Sequence, residues 1–233
     1  METNSDLPRM LAHCRVQQDG FVSLSEKTPW RIGGVLFARR SGAFAVVRKA
    51  PVPGASYEFA GLYALPGGMA RLRERAEGAT VRAGNVLEAS LLERAHREAG
   101  LAPEQLRELV PAPLGPIVTS YTAKGQQRFT LVVPFKCEVE AGARLQVSDG
   151  SVDESSWMAV PPDWERFAPA NCIAVAHLVW NEMEADQRAV ARPHIHEAIR
   201  QSAAWATSIQ VAPPPPPWAE SENLTEWQNA WPS

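Results

Sequence analysis

Apolar and polar positions alternate in short runs through much of this chain, and in a few longer stretches the apolar spacing changes to four residues. Residues 30–37 read Trp-Arg-Ile-Gly-Gly-Val-Leu-Phe, residues 43–48 form a second apolar run, and Arg39-Arg40-Ser41-Gly42 separates them. Two such runs around a Gly-containing turn predict a β-hairpin. A short strand is expected near 21–24. Residues 57–65 carry aromatics at alternate positions, Tyr57 and Phe59, and are expected to be extended until Leu65-Pro66-Gly67-Gly68 ends them in a sharp turn. From 86 to 99 the pattern is helical: Leu87, Leu91, Ala95 and Ala99 give one buried stripe, and Gly100 stands where a helix C′ glycine belongs. A shorter amphipathic segment is expected over 103–110. Strands follow over 114–121, 127–138 and 155–160, the first two separated by Lys124-Gly125. Asn171 is placed to cap a helix over 172–185, and another helix is expected over 194–207. Strands interleaved with helices in this order predict a mixed sheet between helical layers.

Composition sets the limits. The 233 residues suit one domain with terminal extensions. We expect an N-terminal arm over 1–28, the domain over 29–208 and a tail over 209–233. Hydrophobic residues are 45% and charged residues 21%, which supports a core. The formal net charge of -3 argues against a duplex-DNA binder, though not against a local basic patch. No apolar run approaches the ~18–20 residues of a membrane helix, and the N-terminus shows no signal-peptide apolar region. Cys14, Cys137 and Cys172 lie far apart with no C-x-x-C pair, which speaks against structural zinc and a disulfide framework; a cytoplasmic location is expected. Cys172 at a helix start has two readings, a lowered thiol pKa or a buried structural residue. Pro213 to Pro217 favour polyproline II. Trp218, Trp227 and Trp231 suit a tail that folds back on the domain or engages a protein partner; a stiff spacer is the alternative.

The residues with chemical potential cluster around the Gly-Gly and the helix ending at Gly100. Arg94, Arg97 and Glu98 stand at i, i+3 and i+4 and share one helical face. Beside exposed backbone groups, such a face could hold phosphates or a metal. Gly61-Leu62-Tyr63-Ala64-Leu65-Pro66-Gly67-Gly68 followed by this helix resembles a Nudix domain, whose box reads G-x5-E-x7-R-E-U-x-E-E-x-G-U. The resemblance covers roughly 30–185 and includes the late strand with Trp157 and the closing helix from Cys172. It implies a Nudix-like α/β/α sandwich with a mixed sheet. Between Gly68 and Gly100 the chain is longer than the pattern, so the surplus is expected to loop out within 69–83. Aligned on Gly100 and Leu101, the box Arg falls on Glu93, the following Glu on Arg94, the paired glutamates on Arg97 and Glu98, and the early Glu on Asn85. Only Glu98 keeps its carboxylate.

That departure leaves three readings. The resemblance implies Mg²⁺ held on several carboxylates and a glycine carbonyl, and a single carboxylate between two guanidiniums is a poor site for it. Arg instead binds phosphate directly. The first reading is a degenerate protein that binds a nucleoside-diphosphate-type ligand at Gly67, Gly68, Arg94 and Arg97 with hydrolysis lost or reduced. The second is an active divergent hydrolase of diphosphate bonds, with Glu98 catalytic and Mg²⁺ on Glu98, Gly68 and Asp153 or Glu154; Glu58 and Asp149 are further candidate carboxylates. The third is an interaction protein on a Nudix scaffold. The resemblance also leaves a homodimer open. Arg71, Arg73, Arg75 and Arg82, offset by Glu74 and Glu77, could lid a phosphate site or touch nucleic acid, or form a solvated insertion. His96, and His194 with His196 at a spacing that does not share a helix face, are read as surface or packing residues.

Overall fold

A computed structural model of the protein describes residues 6–24, 30–51, 59–72, 83–123, 126–208 and 214–219. The chain opens with helix α1 (Asp6–His13) and two short strands, β1 (Arg15–Val16) and β2 (Val22–Ser23). The predicted hairpin follows as β3 (Arg31–Arg40) and β4 (Ala43–Lys49). Then come β5 (Tyr63–Ala64), β6 (Gly67–Met69), α2 (Ala83–Ala99), β7 (Leu106–Pro111), β8 (Ile117–Ala123), β9 (Gln126–Val139) and β10 (Val152–Ala159). Two helices close the domain, α3 (Pro169–Val179) and α4 (Ala185–Ser208).

The ten strands among the described residues join in one mixed sheet. β3 runs parallel to β9 from Arg31 beside Thr130 to Arg39 beside Glu138. The hairpin partner β4 touches β3 only at the turn, at Arg39–Phe44 and Arg40–Ala43. Beyond that the two strands splay, and residues 61–70 fill the gap. β6 pairs with Gly33–Val35 of β3, β5 pairs with β4, and Leu36 N–H donates to the Pro66 carbonyl at 2.9 Å.

Period-two alternation sends neighbouring residues to opposite faces. Ile32, Leu36, Ala45 and Val47 face α2, where Leu87, Leu91, Ala95 and Ala99 are all at most 1% exposed, as their spacing predicts. Val35, Phe37, Phe44 and Val46 face α3 and α4, among Ile173, Val175, Ile195 and Ile199. The result is an α/β/α sandwich with a mixed sheet. Among the described residues no helix is long and apolar enough to cross a membrane.

Several expectations are corrected. Pro66-Gly67-Gly68 is not a terminating turn; Gly67 and Gly68 are strand residues, because a chain without Cβ atoms fits against Gly33 and Gly34. Residues 6–24 are not an appended arm: Val22 is fully buried, Cys14 joins the core, and Ser23 pairs with Arg31 of β3. The 103–110 segment is a 3-10 turn over Pro103–Gln105 followed by β7. Asn171 lies inside α3, whose first residue is Pro169, and its side chain serves a different backbone group, described below. α4 starts nine residues earlier than predicted. Pro193 faces solvent while Ala191, Ile195, Ala198 and Ile199 keep the buried stripe continuous, so packing carries the helix through the proline. The Lys124-Gly125 turn lies outside the described residues.

Two glycines differ in what they require. Gly67 has φ +150°, and a Cβ there would overlap the Gly34 carbonyl oxygen and lie 2.8 Å from Val35 Cα. Gly42 has φ +79° with nothing within 4 Å. In urea unfolding, Gly67→Ala is expected to cost about 3 kcal/mol or more. Gly42→Ala is expected to cost about 1 kcal/mol, for its left-handed backbone alone.

Candidate functional site

The site lies where α2 passes over the segment 65–69, which contains β6. Parity along β4 decides its first member. Val47 faces α2, so Lys49 does too, while Arg48 points to the other face. Lys49 Nζ lies 3.3 Å from both carboxylate oxygens of Glu98. Glu98 also accepts the Gly67 backbone N–H at 3.0 Å and lies 3.5 Å from the Ser151 hydroxyl and from Arg94 Nη1. It is 1% exposed. An i, i+4 pair of the kind expected on a solvated helix face is therefore an internal ion cluster instead.

The loop between β9 and β10 supplies the second carboxylate. Its backbone caps the end of α2: Gln146 N–H donates to the Ala99 carbonyl and Ser148 N–H to the Arg97 carbonyl. This carries Asp149 to Arg97 Nη2 at 2.8 Å and to Arg94 Nη1 at 3.3 Å. Burial alone would raise the Asp149 pKa. The Ser151 backbone and side-chain hydrogen bonds, with the charges of Arg97 and Arg94, outweigh it and hold the carboxyl below its ordinary value. Arg97 also pairs with Glu93 at 3.3 Å.

Of the residues singled out in the sequence, Glu98, Gly67, Gly68, Arg94 and Arg97 come together here. The Arg94 side chain runs beside Gly68, its Nε 3.5 Å from where a Cβ on that glycine would stand. Asp153 and Glu154 do not join them. A β-bulge between Val152 and Glu154 turns both toward Arg48, at 2.8 and 3.5 Å, on the strand parity opposite to Lys49. Asp149, weighed in the sequence only as one of several loose carboxylates, takes the place beside the arginines. Lys49 and Ser151 carried no motif signal; the parity of β4 is the one sequence cue that could have found Lys49. Glu58, Arg73, Glu74, Arg75, Glu77 and Arg82 lie outside the described residues. Arg71 stacks on Phe21, 4.8 Å from its ring centre.

The donor set does not fit a divalent cation. Mg²⁺ needs an array of free oxygen ligands, and the oxygens of Glu98 and Asp149 already face an ammonium, two guanidiniums and backbone N–H groups. Among the described residues no group of three or more His, Cys, Asp or Glu side chains could hold a metal. His96 and His196 are exposed, and His194 lies 3.8 Å from Glu165. Cys172 lies inside α3 and is 2% exposed, the buried structural residue of its two readings, and burial pushes its thiol up to about 12.

No protein-family model matches the chain, and no curated protein matches it. Solved structures do resemble it. The MutT protein from Methanosarcina mazei Go1 is 17% identical over 63% of this chain and 90% of that one, with TM-score 0.40. A MutT NUDIX hydrolase from Burkholderia pseudomallei is 17% identical over 63% and 95%, with TM-score 0.37. The NUDIX domain of Shewanella oneidensis NrtR, complexed with ADP ribose, is 19% identical over 66% and 83%, with TM-score 0.39. At such identities and scores nothing about activity passes from those proteins to this chain.

Two measurements check the cluster. Lys49→Met removes a cation from a buried carboxylate and is expected to cost about 3 kcal/mol in denaturant unfolding. Adding Glu98→Gln is expected to cost less than the two single changes summed. Asp149 has a depressed folded pKa, so its pairing stabilises fully above the ordinary carboxylate value and is lost as pH falls through the folded value. Asp149→Asn is therefore expected to be less stable than the native chain at pH 7, with the gap closing as the solution is acidified below the ordinary carboxylate range.

Proposed function

We propose that this chain is a Nudix-like protein that binds a diphosphate-containing small molecule through Arg94 and Arg97, and that it does not hydrolyse the ligand by a metal-dependent route. One observation carries this reading. Arg94 spends only Nη1 inside the protein, on Asp149 and Glu98, and its Nε and Nη2 donors have no protein partner among the described residues. The side chain is 32% exposed. Nε and Nη2 form the guanidinium edge that grips two phosphate oxygens side by side. Behind that edge Asp149 and Glu98 hold Nη1 and so fix the guanidinium in place.

The same arrangement argues against hydrolysis through Glu98. A carboxylate that is 1% exposed and faces Lys49, Arg94, Ser151 and Gly67 N–H is not placed to ligate an ion or take a proton from water. Its role in this reading is to hold the Gly67 strand and the inner edge of Arg94. The hydrolase reading needed Asp153 or Glu154 beside it, and both are turned to Arg48.

The test is a panel of nucleoside diphosphate compounds incubated with the full chain, with and without Mg²⁺, with binding followed by calorimetry and products by chromatography. Binding without turnover is expected. Arg94→Ala is expected to weaken binding by about 10- to 100-fold, the worth of a charge-assisted hydrogen bond. Mg²⁺-dependent turnover that disappears in Glu98→Gln would overturn the reading.

A further inference from the structure

The far face of the sandwich carries a second recognition surface. Residues 214–219 lie against the end of α3, the 3-10 turn Trp180–Glu182 and the first half of α4. Pro214 and Pro216 are buried while Pro215 between them is exposed. Pro215 nevertheless takes part through its carbonyl, which His177 Nε2 meets at 2.7 Å. A carbonyl only accepts, so Nε2 carries the proton. Trp218 packs on Trp180 with ring centres 5.0 Å apart, and the Arg192 guanidinium stands 5.0 Å from the Trp218 ring and 5.8 Å from Trp180. Arg188 fixes the other side by donating to the Trp180 carbonyl at 3.0 Å.

These contacts are the means by which a protein can read a proline run. Such a run has no N–H groups to offer, so it is recognised by its ring faces and by its carbonyls. Here alternate prolines are buried, the carbonyl between them meets a donor, and an aromatic ring with a guanidinium receives Trp218. The segment joins no strand of the sheet.

We propose that this groove, formed by His177, Trp180, Arg188 and Arg192, is a docking site for a proline-rich segment of a partner protein that ends in an aromatic residue, and that residues 214–219 occupy it in cis as a removable strap. The tethered strap competes at the high effective concentration of an intramolecular ligand, so the partner gains access only as the strap leaves.

The probe is a fluorescent synthetic peptide with the sequence of residues 212–219, titrated into the full chain and followed by anisotropy. Trp218→Ala weakens the strap but leaves the groove intact. The peptide is expected to bind this variant at least tenfold more tightly than the native chain, and His177→Ala added to it is expected to abolish the gain. Pro216→Ser gives an independent way to loosen the strap should Trp218→Ala not fold, with the same expected gain. Equal binding to native and loosened chains would overturn the proposal. So would a loosened variant that is folded but binds no peptide, since the strap would then be structural only. A concentration-dependent dimer that is lost in Trp218→Ala would also overturn it, by assigning the groove to a second copy of this chain.

Discussion

A pair of buried backbone N–H groups governs this structure. β3 and β4 splay beyond their turn, and the 61–70 segment that fills the gap cannot pair every donor with a neighbouring strand. A buried N–H left without an acceptor costs roughly 1–3 kcal/mol. Two side chains from opposite helical layers supply the acceptors. Asn171 of α3 takes the Leu65 N–H at 2.9 Å and Glu98 of α2 takes the Gly67 N–H at 3.0 Å. The Leu-Pro-Gly-Gly segment is thus held from above and below. The glycines allow the close approach to β3, and the two acceptors complete it.

The charges follow from that choice. A carboxylate at 1% exposure needs compensation on the spot. Lys49 provides it from β4 and Arg94 from the preceding turn of α2. Arg94 is in turn aimed by Asp149, which the capping loop brings to the end of the same helix. Each group orients the next, and the outer edge of Arg94 reaches solvent. A group that began as a solution to backbone hydrogen bonding thereby leaves a fixed cationic edge beside Gly68. The proposed ligand contact and the poor fit of these carboxylates to a divalent cation follow from one arrangement.

The sheet separates this site from the proline groove. One face carries α2 and the ion cluster; the other carries α3, α4 and the strap. Asn171 and His177 sit on the same helix, one tied inward to the Leu65 strand and the other outward to Pro215. α3 therefore serves both as a clamp for the sheet and as one wall of the groove.

The layered class, the hairpin, the stripe of α2 and its end at Gly100 were legible in the sequence, because each depends on spacing between near neighbours. So was the gathering of Arg94, Arg97 and Glu98 on one face, which helical geometry guarantees. What the sequence could not show is where a strand goes when its partner departs, since that is set by pairing across the sheet. Gly67 and Gly68 therefore read as a turn and proved to be a strand. Asn171 read as a cap and proved to be an acceptor for Leu65. Asp153 and Glu154 share a strand with Val152, but a single bulge sends them to Arg48. Lys49 and Asp149 lie 100 residues apart in the chain, and only the splay of β3 from β4 and the capping of α2 place Lys49 against Glu98 and Asp149 against Arg94. Local periodicity determined the elements; the need to satisfy buried donors and charges across them decided the site.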